Sequence, residues 1–456
     1  MENTEKEDRR IYILSSEKPV KAVVRLGFPL VAGMFIMALY NIVDTYFIGL
    51  MRDDFQLAAV NLAYPVMMVM IAVSNIVGTG ASSFIARSLG AGNRDMAEHT
   101  LTAGMLLTAV NSLIVTAAGL LLLPHIVSGL GAQANTSGFT SQYVSVIFIG
   151  SIFNMGCYAA GQFLRGEGSV KLSMIGMVLG IIVNVILDPV FIFLFDLKIA
   201  GAAIATVIGN AAGLFVTLWF YAAKKTLLRP SLRYIRPTAV ILKEIYWVGV
   251  PAALETLLTS AAYIVNNNLA VAYGELTVAA MGVSQKIMSF GSYIYQGMAS
   301  GTQPIMGYSY GAKNYTRMIS VLKAGVLVVS ATELFVMAIY SIFAPFLIGC
   351  FSETPEIIAT GSTVLRTIMF ILPFVGAVSM CRMSFQAMGK PLCAFIITIV
   401  RQLFLYVPLL LLFDRLFGFG GMIWAQPVTE AVMMTVSILM LYTTIKREQR
   451  QTGEQE

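Results

Sequence analysis

The feature that most limits the fold of this chain is a succession of apolar stretches, each long enough to cross a bilayer. About 20 consecutive apolar residues span the hydrocarbon core as a helix. Backbone in lipid must also satisfy its own hydrogen bonds, which leaves only helices and closed barrels. Such stretches recur near 22–50, 57–86, 97–123, 139–163, 170–195, 200–222, 243–272, 278–306, 317–346, 358–386, 391–413 and 420–444. The reading is an all-α polytopic membrane protein with twelve transmembrane helices. Composition agrees: 57% of the 456 residues are hydrophobic and 12% charged, against about 25% charged in soluble domains. Residues 1–16 are polar and no small-residue cleavage site follows the first apolar run, so that run is expected to stay as a span. Residues 1–17 and 447–456 read as disordered tails. Cys157, Cys350, Cys381 and Cys393 lack metal-ligand spacing and read as small packing residues.

The basic residues orient the spans. Arg52, Lys198 and Arg415 fall on one side, and Lys286, Arg366, Arg382 and Arg401 fall inside spans. The remaining Lys and Arg all lie on the side of the termini, with Lys224, Lys225, Arg229, Arg233, Arg236 and Lys243 crowded into one loop. Cytoplasmic loops carry excess Lys/Arg, so both termini are expected in the cytoplasm.

The two halves of the chain resemble each other. RLGFPLVAG at 25–33 aligns with WVGVPAALE at 247–255, SLGAGN at 88–93 with SYGAKN at 309–314, and GAAIAT at 201–206 with GMIWAQ at 421–426. A near-constant offset of about 220 residues marks a duplication. An even number of spans per copy gives two pseudo-symmetric six-helix lobes related by an axis along the membrane normal, with a path between them. The lobes are expected at 18–223 and 243–446, joined by a basic linker at 224–242. Pro29 and Pro251 sit at matching positions in the first helix of each lobe. Each removes a hydrogen bond and lets its helix bend, as a fixed kink or as a moving part.

Two carboxylates lie in the apolar runs of the first lobe, Asp44 in PLVAGMFIMALYNIVD and Asp188 in GMVLGIIVNVILDPVFIFLF. A charge at bilayer depth costs at least about 2.5–3.5 kcal/mol, so such residues face a cavity or a partner. Tyr40 and Asp44 share a helix face, as do Asn184 and Asp188. Pro189 takes the usual donor away from the carbonyl of Val185. These hard oxygens suit a proton or Na⁺. The alternative is that each aspartate bonds a neighbouring helix for packing. The second lobe does not repeat the pair: Asp44 maps onto Asn266 and Asp188 near Val407. Its own polar residues include Glu255, Asn266, Asn267, Asn268, Gln285, Lys286, Glu333, Arg401 and Glu430. Glu255, Asn266, Gln285 and Met288 are its candidate substrate-cavity residues, although Lys286 could instead neutralise Glu255.

The chain has no GxxxxGK[ST] loop, no HExxH, no GxSxG and only two histidines, so nothing supports an enzyme, a nucleotide site or a firm metal site beyond Na⁺ at Asp44 and Asp188. Nothing points to nucleic acid, and the expected partners are the lipid bilayer and small molecules.

GFPLVAG and LYNIVDTYFIG within 27–49, LGAGN at 89–93, FLRGEG at 163–168, NVILDPVFIF at 184–193, GAAIAT at 201–206 and TQPIMGYSYGAKN at 302–314 resemble the multidrug and toxic compound extrusion (MATE) family, in its DinF/MepA-like bacterial branch. The resemblance covers nearly the whole chain. It implies a V-shaped pair of six-helix lobes and a monomer in the bacterial inner membrane that exports organic cations against H⁺ or Na⁺, without a cofactor. It also implies a cation-coupling site at Asp44, Asn184, Asp188 and Thr206, with Tyr40 as a neighbour. Glu255 stands one turn after Pro251, where part of the family has an acid two turns on, at the position of Thr259. A lipid-linked oligosaccharide flippase of the same superfamily is the alternative, and would need buried basic residues for a pyrophosphate.

Overall fold

The computed structural model describes residues 2–51 and 53–452, and it holds helices and no strands among them. The helices run α1 (Glu2–Ser15), α2 (Pro19–Gly49), α3 (Asp54–Gly90), α4 (Arg94–Leu121), α5 (Leu123–Gly129), α6 (Ala134–Ile149), α7 (Ser151–Gly166), α8 (Val170–Pro189) and α9 (Lys198–Ala222). The second half continues with α10 (Ala239–Val271), α11 (Glu275–Gly311), α12 (Tyr315–Ile342), α13 (Ala344–Gly349), α14 (Pro355–Met369), α15 (Leu372–Ala387), α16 (Pro391–Ile399) and α17 (Val407–Thr452). Short π-helical segments, Val190–Leu194 and Val400–Tyr406, continue α8 and α16.

By length and hydropathy 7 of these helices can cross a membrane alone, and up to 9 when each of two bent pairs counts as one span. Those pairs are α6 with α7, bent by 55°, and α14 with α15, bent by 43°. The stretch Pro391–Gln451 is two passes, because Gly418 at φ 59, ψ −147 breaks α17. With α10 and α11, these make the twelve passes that the apolar runs predict.

The duplication is visible in local geometry. Asn93 caps α4 by accepting from Met96 N at 3.0 Å, and Asn314 caps α12 by accepting from Arg317 N at 2.9 Å. Asn93 N bonds Ser88 O and Asn314 N bonds Ser309 O, both at 2.9 Å. The turn residue before each cap is left-handed, Gly92 at φ 73 and Lys313 at φ 55. SLGAGN and SYGAKN are thus one helix–turn–helix built twice. Packing repeats as well: α3 contacts α4, α6 and α7 just as α11 contacts α12, α14 and α15.

Two compact units result. One comprises Met1–Leu14 with Ala32–Ala253, the other Ser15–Val31 with Leu254–Glu456. Relative to the lobes expected at 18–223 and 243–446, the units exchange the opening segments of α2 and α10, with the change-over just past Pro29 and Pro251. Close backbone approach holds each segment. In the first unit a Cβ on Gly249 would stand 1.7 Å from Ile76 O; in the second, one on Gly301 would stand 2.5 Å from Gly27 Cα. Helices associate in lipid through such van der Waals contact at small residues, since lipid supplies no hydrophobic drive between them.

Neither tail is disordered along its described length. Residues 2–15 form α1, whose Ile13 and Leu14 are buried, while Glu7 pairs with Arg94 at 2.5 Å and Arg10 donates to Lys225 O at 2.7 Å. At the other end α17 runs to Thr452, and Glu448 accepts from Lys390 and from Tyr310. Charge alone made these segments look unfolded, but their charges have partners on the bundle.

Candidate functional site

The first unit gathers polar side chains from four helices. Tyr40 and Asp44 project from one face of α2, Tyr143 from α6, Asn184 and Asp188 from α8, and Thr206 from α9. Asp188 is fully buried, and Asn184, Tyr143 and Thr206 are less than a tenth exposed. Asn184 Nδ2 donates to Asp188 Oδ1 at 3.4 Å. The other Asp188 oxygen, Oδ2, and Asn184 Oδ1 are buried without a hydrogen-bond partner among the described residues. Thr206 Oγ1 donates to Ala202 O at 3.0 Å and lies near the Tyr40 hydroxyl. Asp44 lies close enough to act on Asp188, and Tyr143 feels both.

Local sequence explains the assembly. Pro189 cannot donate, and the helix answers by widening: Phe195 N bonds Val190 O at 3.0 Å, five residues back. Such π segments interrupt regular α-helical register and recur at functional sites. Next to it, α8 and α9 touch backbone to backbone. A Cβ on Gly209 would stand 2.7 Å from Gly180 O and 2.7 Å from Asn184 Cβ. This contact sets Asn184 against α9 one turn from Thr206.

Of the five residues expected to form a cation site, Asn184 and Asp188 are bonded to each other, and Tyr40, Asp44 and Thr206 lie in the same neighbourhood on α2 and α9. Tyr143 joins them and was not foreseen. Its only sequence signal is a polar-tipped aromatic in the fourth span, which reads equally as core. Chemically the cluster offers carboxylate, amide and hydroxyl oxygens, and no compensating Lys or Arg is bonded to either aspartate among the described residues.

The second unit differs at the matching place. Asn266 Oδ1 accepts from Tyr406 OH at 3.0 Å, so this amide is engaged internally. The Asn267 and Asn268 side chains lie outside the described residues. Glu255 is 5% exposed, and its Oε2 accepts from Arg382 Nη1 at 2.7 Å and Gln386 Nε2 at 3.0 Å. Its neutralising partner is thus Arg382, not Lys286, which is exposed. Arg401 likewise pairs with Glu430 at 3.2 Å. Met288 packs into the apolar core beside Ile368 and Leu372, and Gln285 is half-buried.

One further acid escaped the sequence reading. Glu167, in the turn after α7, is fully buried, and Oε2 accepts from Leu228 N at 3.0 Å while Oε1 has no partner among the described residues. Burial pushes its carboxyl up to about 7, opposed by the hydrogen bonds it accepts.

The fold is a duplicated bundle of membrane-crossing helices with a buried oxygen cluster in one half, and the family and relatives it matches are transporters, not enzymes. The model of the MatE family matches residues 29–190 and 251–412, once in each half and beginning at the paired prolines, and the chain belongs to that family. The Multidrug export protein MepA of Staphylococcus saprophyticus is 29% identical over 439 residues, 95% of this chain and 96% of that protein. A solved structure of MATE in the bent conformation superposes with a TM-score of 0.91 at 28% identity, covering 98% of this chain and 99% of that one. One of MATE in the straight conformation gives 0.91 at 29% identity, covering 96% and 99%.

Proposed function

We propose that this chain exports lipophilic organic cations of varied structure from the cytoplasm of a bacterium, exchanging them for inward H⁺ or Na⁺ by alternating access. In this reading it works as a monomer in the inner membrane, with both termini and the 224–242 linker in the cytoplasm. The observation that carries the reading is the cluster of Tyr40, Asp44, Tyr143, Asn184, Asp188 and Thr206, with Asp188 Oδ2 and Asn184 Oδ1 left without partners. Two carboxylates so close in lipid repel each other when both are ionised. A proton or Na⁺ at Asp188 Oδ2 relieves that repulsion and lets the part of α2 beyond Pro29 draw toward α8. Loss of the ion restores the charge, loosens α2 and returns a site attractive to a cationic substrate. The multidrug name of the Staphylococcus relative and the bent and straight forms of two MATE structures support both halves of the scheme. In the second unit the flippase alternative needs free buried cations, whereas Arg382 and Arg401 are each engaged by a carboxylate.

Asp44→Asn and Asp188→Asn are expected to cut efflux of a fluorescent cationic dye at least about ten-fold, in the range set by loss of an essential general acid or base, with normal amounts of protein in the membrane. Wild-type efflux from both variants would refute the assignment.

A further inference from the structure

We infer that the end of α9 and the start of the linker form a binding site for the phosphate headgroup of an anionic phospholipid. The residues at this end change character within one turn. Phe215, Leu218 and Trp219 are exposed and apolar, the face a lipid-embedded helix presents to acyl chains. Lys224 and Lys225 follow directly, with Arg229 beyond. Trp219 and Lys225 meet, the ammonium standing 3.9 Å from the indole ring centroid. Tryptophan with a basic neighbour marks the depth at which hydrocarbon gives way to headgroups.

Beside them an open cavity of about 330 Å³ is lined by Leu218, Tyr221, Ala222, Lys224, Arg229 and Pro230. Its wall is apolar toward α9 and cationic toward the linker, which matches one acyl chain topped by one phosphate. Lys224 closes the helix in the left-handed region at φ 54, and Pro230 stiffens the opposite wall.

The cations are uncommitted. Residues 224–243 contain six Lys/Arg and no Asp or Glu. Among the described residues no carboxylate pairs with Lys224, Lys225 or Arg229. Two sources of repulsion for an anion lie nearby: the buried Glu167 carboxyl behind Tyr221, which accepts from Leu228 N, and the carbonyls at the end of α9, since a helix C-terminus is negative. Three of those carbonyls are occupied: Ala223 N bonds Trp219 O at 2.7 Å, Lys224 N bonds Tyr221 O at 3.1 Å and Lys225 N bonds Phe220 O at 2.9 Å. Arg10 of α1 covers the Lys225 carbonyl at 2.7 Å and sets its charge against Glu167. Paired basic groups over an apolar slot at the membrane surface are the recognisable form of a lipid-headgroup site.

The test uses the full chain in nanodiscs, with Trp247→Phe and Trp424→Phe so that Trp219 is the only tryptophan. Brominated phosphatidylglycerol is titrated against brominated phosphatidylcholine and quenching of Trp219 is read. Quenching should saturate at a lower mole fraction of the anionic lipid. Lys224→Gln and Arg229→Gln should each weaken that preference about five-fold, while Lys224→Arg keeps it. Millimolar glycerol phosphate in solution should leave it unchanged. Equal quenching by the two lipids overturns the site, as does a preference that survives both neutral substitutions. Displacement by soluble glycerol phosphate overturns the lipid assignment and makes this a site for a free phosphate ester.

Discussion

At the scale of single residues, the molecule separates acids that are paired from acids that are not. Glu255 and Glu430 each face an arginine, whereas no cation is bonded to Asp188, Glu167 or Glu333 among the described residues. Breaking a buried pair costs about 3–5 kcal/mol because one charge is left alone, which makes the second unit's pairs fixed structure. Glu167 behaves differently. Its carboxyl is raised by burial from 4.5 to about 7, so between those values the folded chain holds a proton that the unfolded chain has lost. The stability this group contributes is therefore complete below its unfolded value and lost as pH rises through its folded value. Glu167→Gln keeps an acceptor for Leu228 N and removes the titration. Its thermal stability relative to wild type should improve as pH rises from about 5 to about 8, by up to roughly 3 kcal/mol; an unchanged difference across that range would contradict this. Sequence could reach Asp44, Asn184 and Asp188, because a polar residue in an apolar run stands out and helical spacing pairs it. It could not reach Tyr143 or the Glu255–Arg382 pair, because tyrosine is ordinary in a span and the paired residues lie 127 positions apart.

At the scale of elements, the site depends on how closely α8 and α9 approach. Gly209 lets the two backbones touch beside Asn184. Gly209→Ala would drive a methyl into Gly180 O and the Asn184 side chain, an overpacking that costs roughly 1–3 kcal/mol. The expected outcome is a lowered melting temperature together with reduced efflux, since Asn184 is pushed off Asp188. Gly138→Ala on α6, where a Cβ meets nothing within 4 Å, is the control and should alter neither. A Gly209→Ala protein with wild-type melting and wild-type efflux would mean that this contact does not position the site. The helices themselves could be read from apolar runs and their caps from SLGAGN and SYGAKN. The π segment could not, because Pro189 announces only a lost donor and not how the helix absorbs it. Helix α1 reads as disorder for a related reason: seven charges in its first nine residues look solvated until Glu7 and Arg10 are seen on their partners.

At the scale of the whole molecule, duplication has produced two similar frames with different contents. Matching caps, matching bends and matching prolines make both halves capable of the same movement. Only the first carries a carboxylate pair; in the second, Asn266 is held by Tyr406 and Val407 stands where Asp188 would be. The division into units also falls just past each proline and not at the basic linker. Chain order could not reveal this, since which half-helix packs where is decided by contacts such as Gly249 with Ile76 and Gly301 with Gly27. An arrangement with a carboxylate pair in one half and, in the other, two arginine-paired acids and the buried Glu333, with no cation bonded to it among the described residues, fits coupling through the first-half cluster. The most direct measurement is dye efflux from proteoliposomes driven by a pH gradient alone and then by a Na⁺ gradient alone, in wild type and in Asp188→Asn. Wild type should respond to at least one gradient and Asp188→Asn to neither. Wild-type efflux that follows neither gradient, or an Asp188→Asn protein that still follows one, would contradict coupling at this cluster.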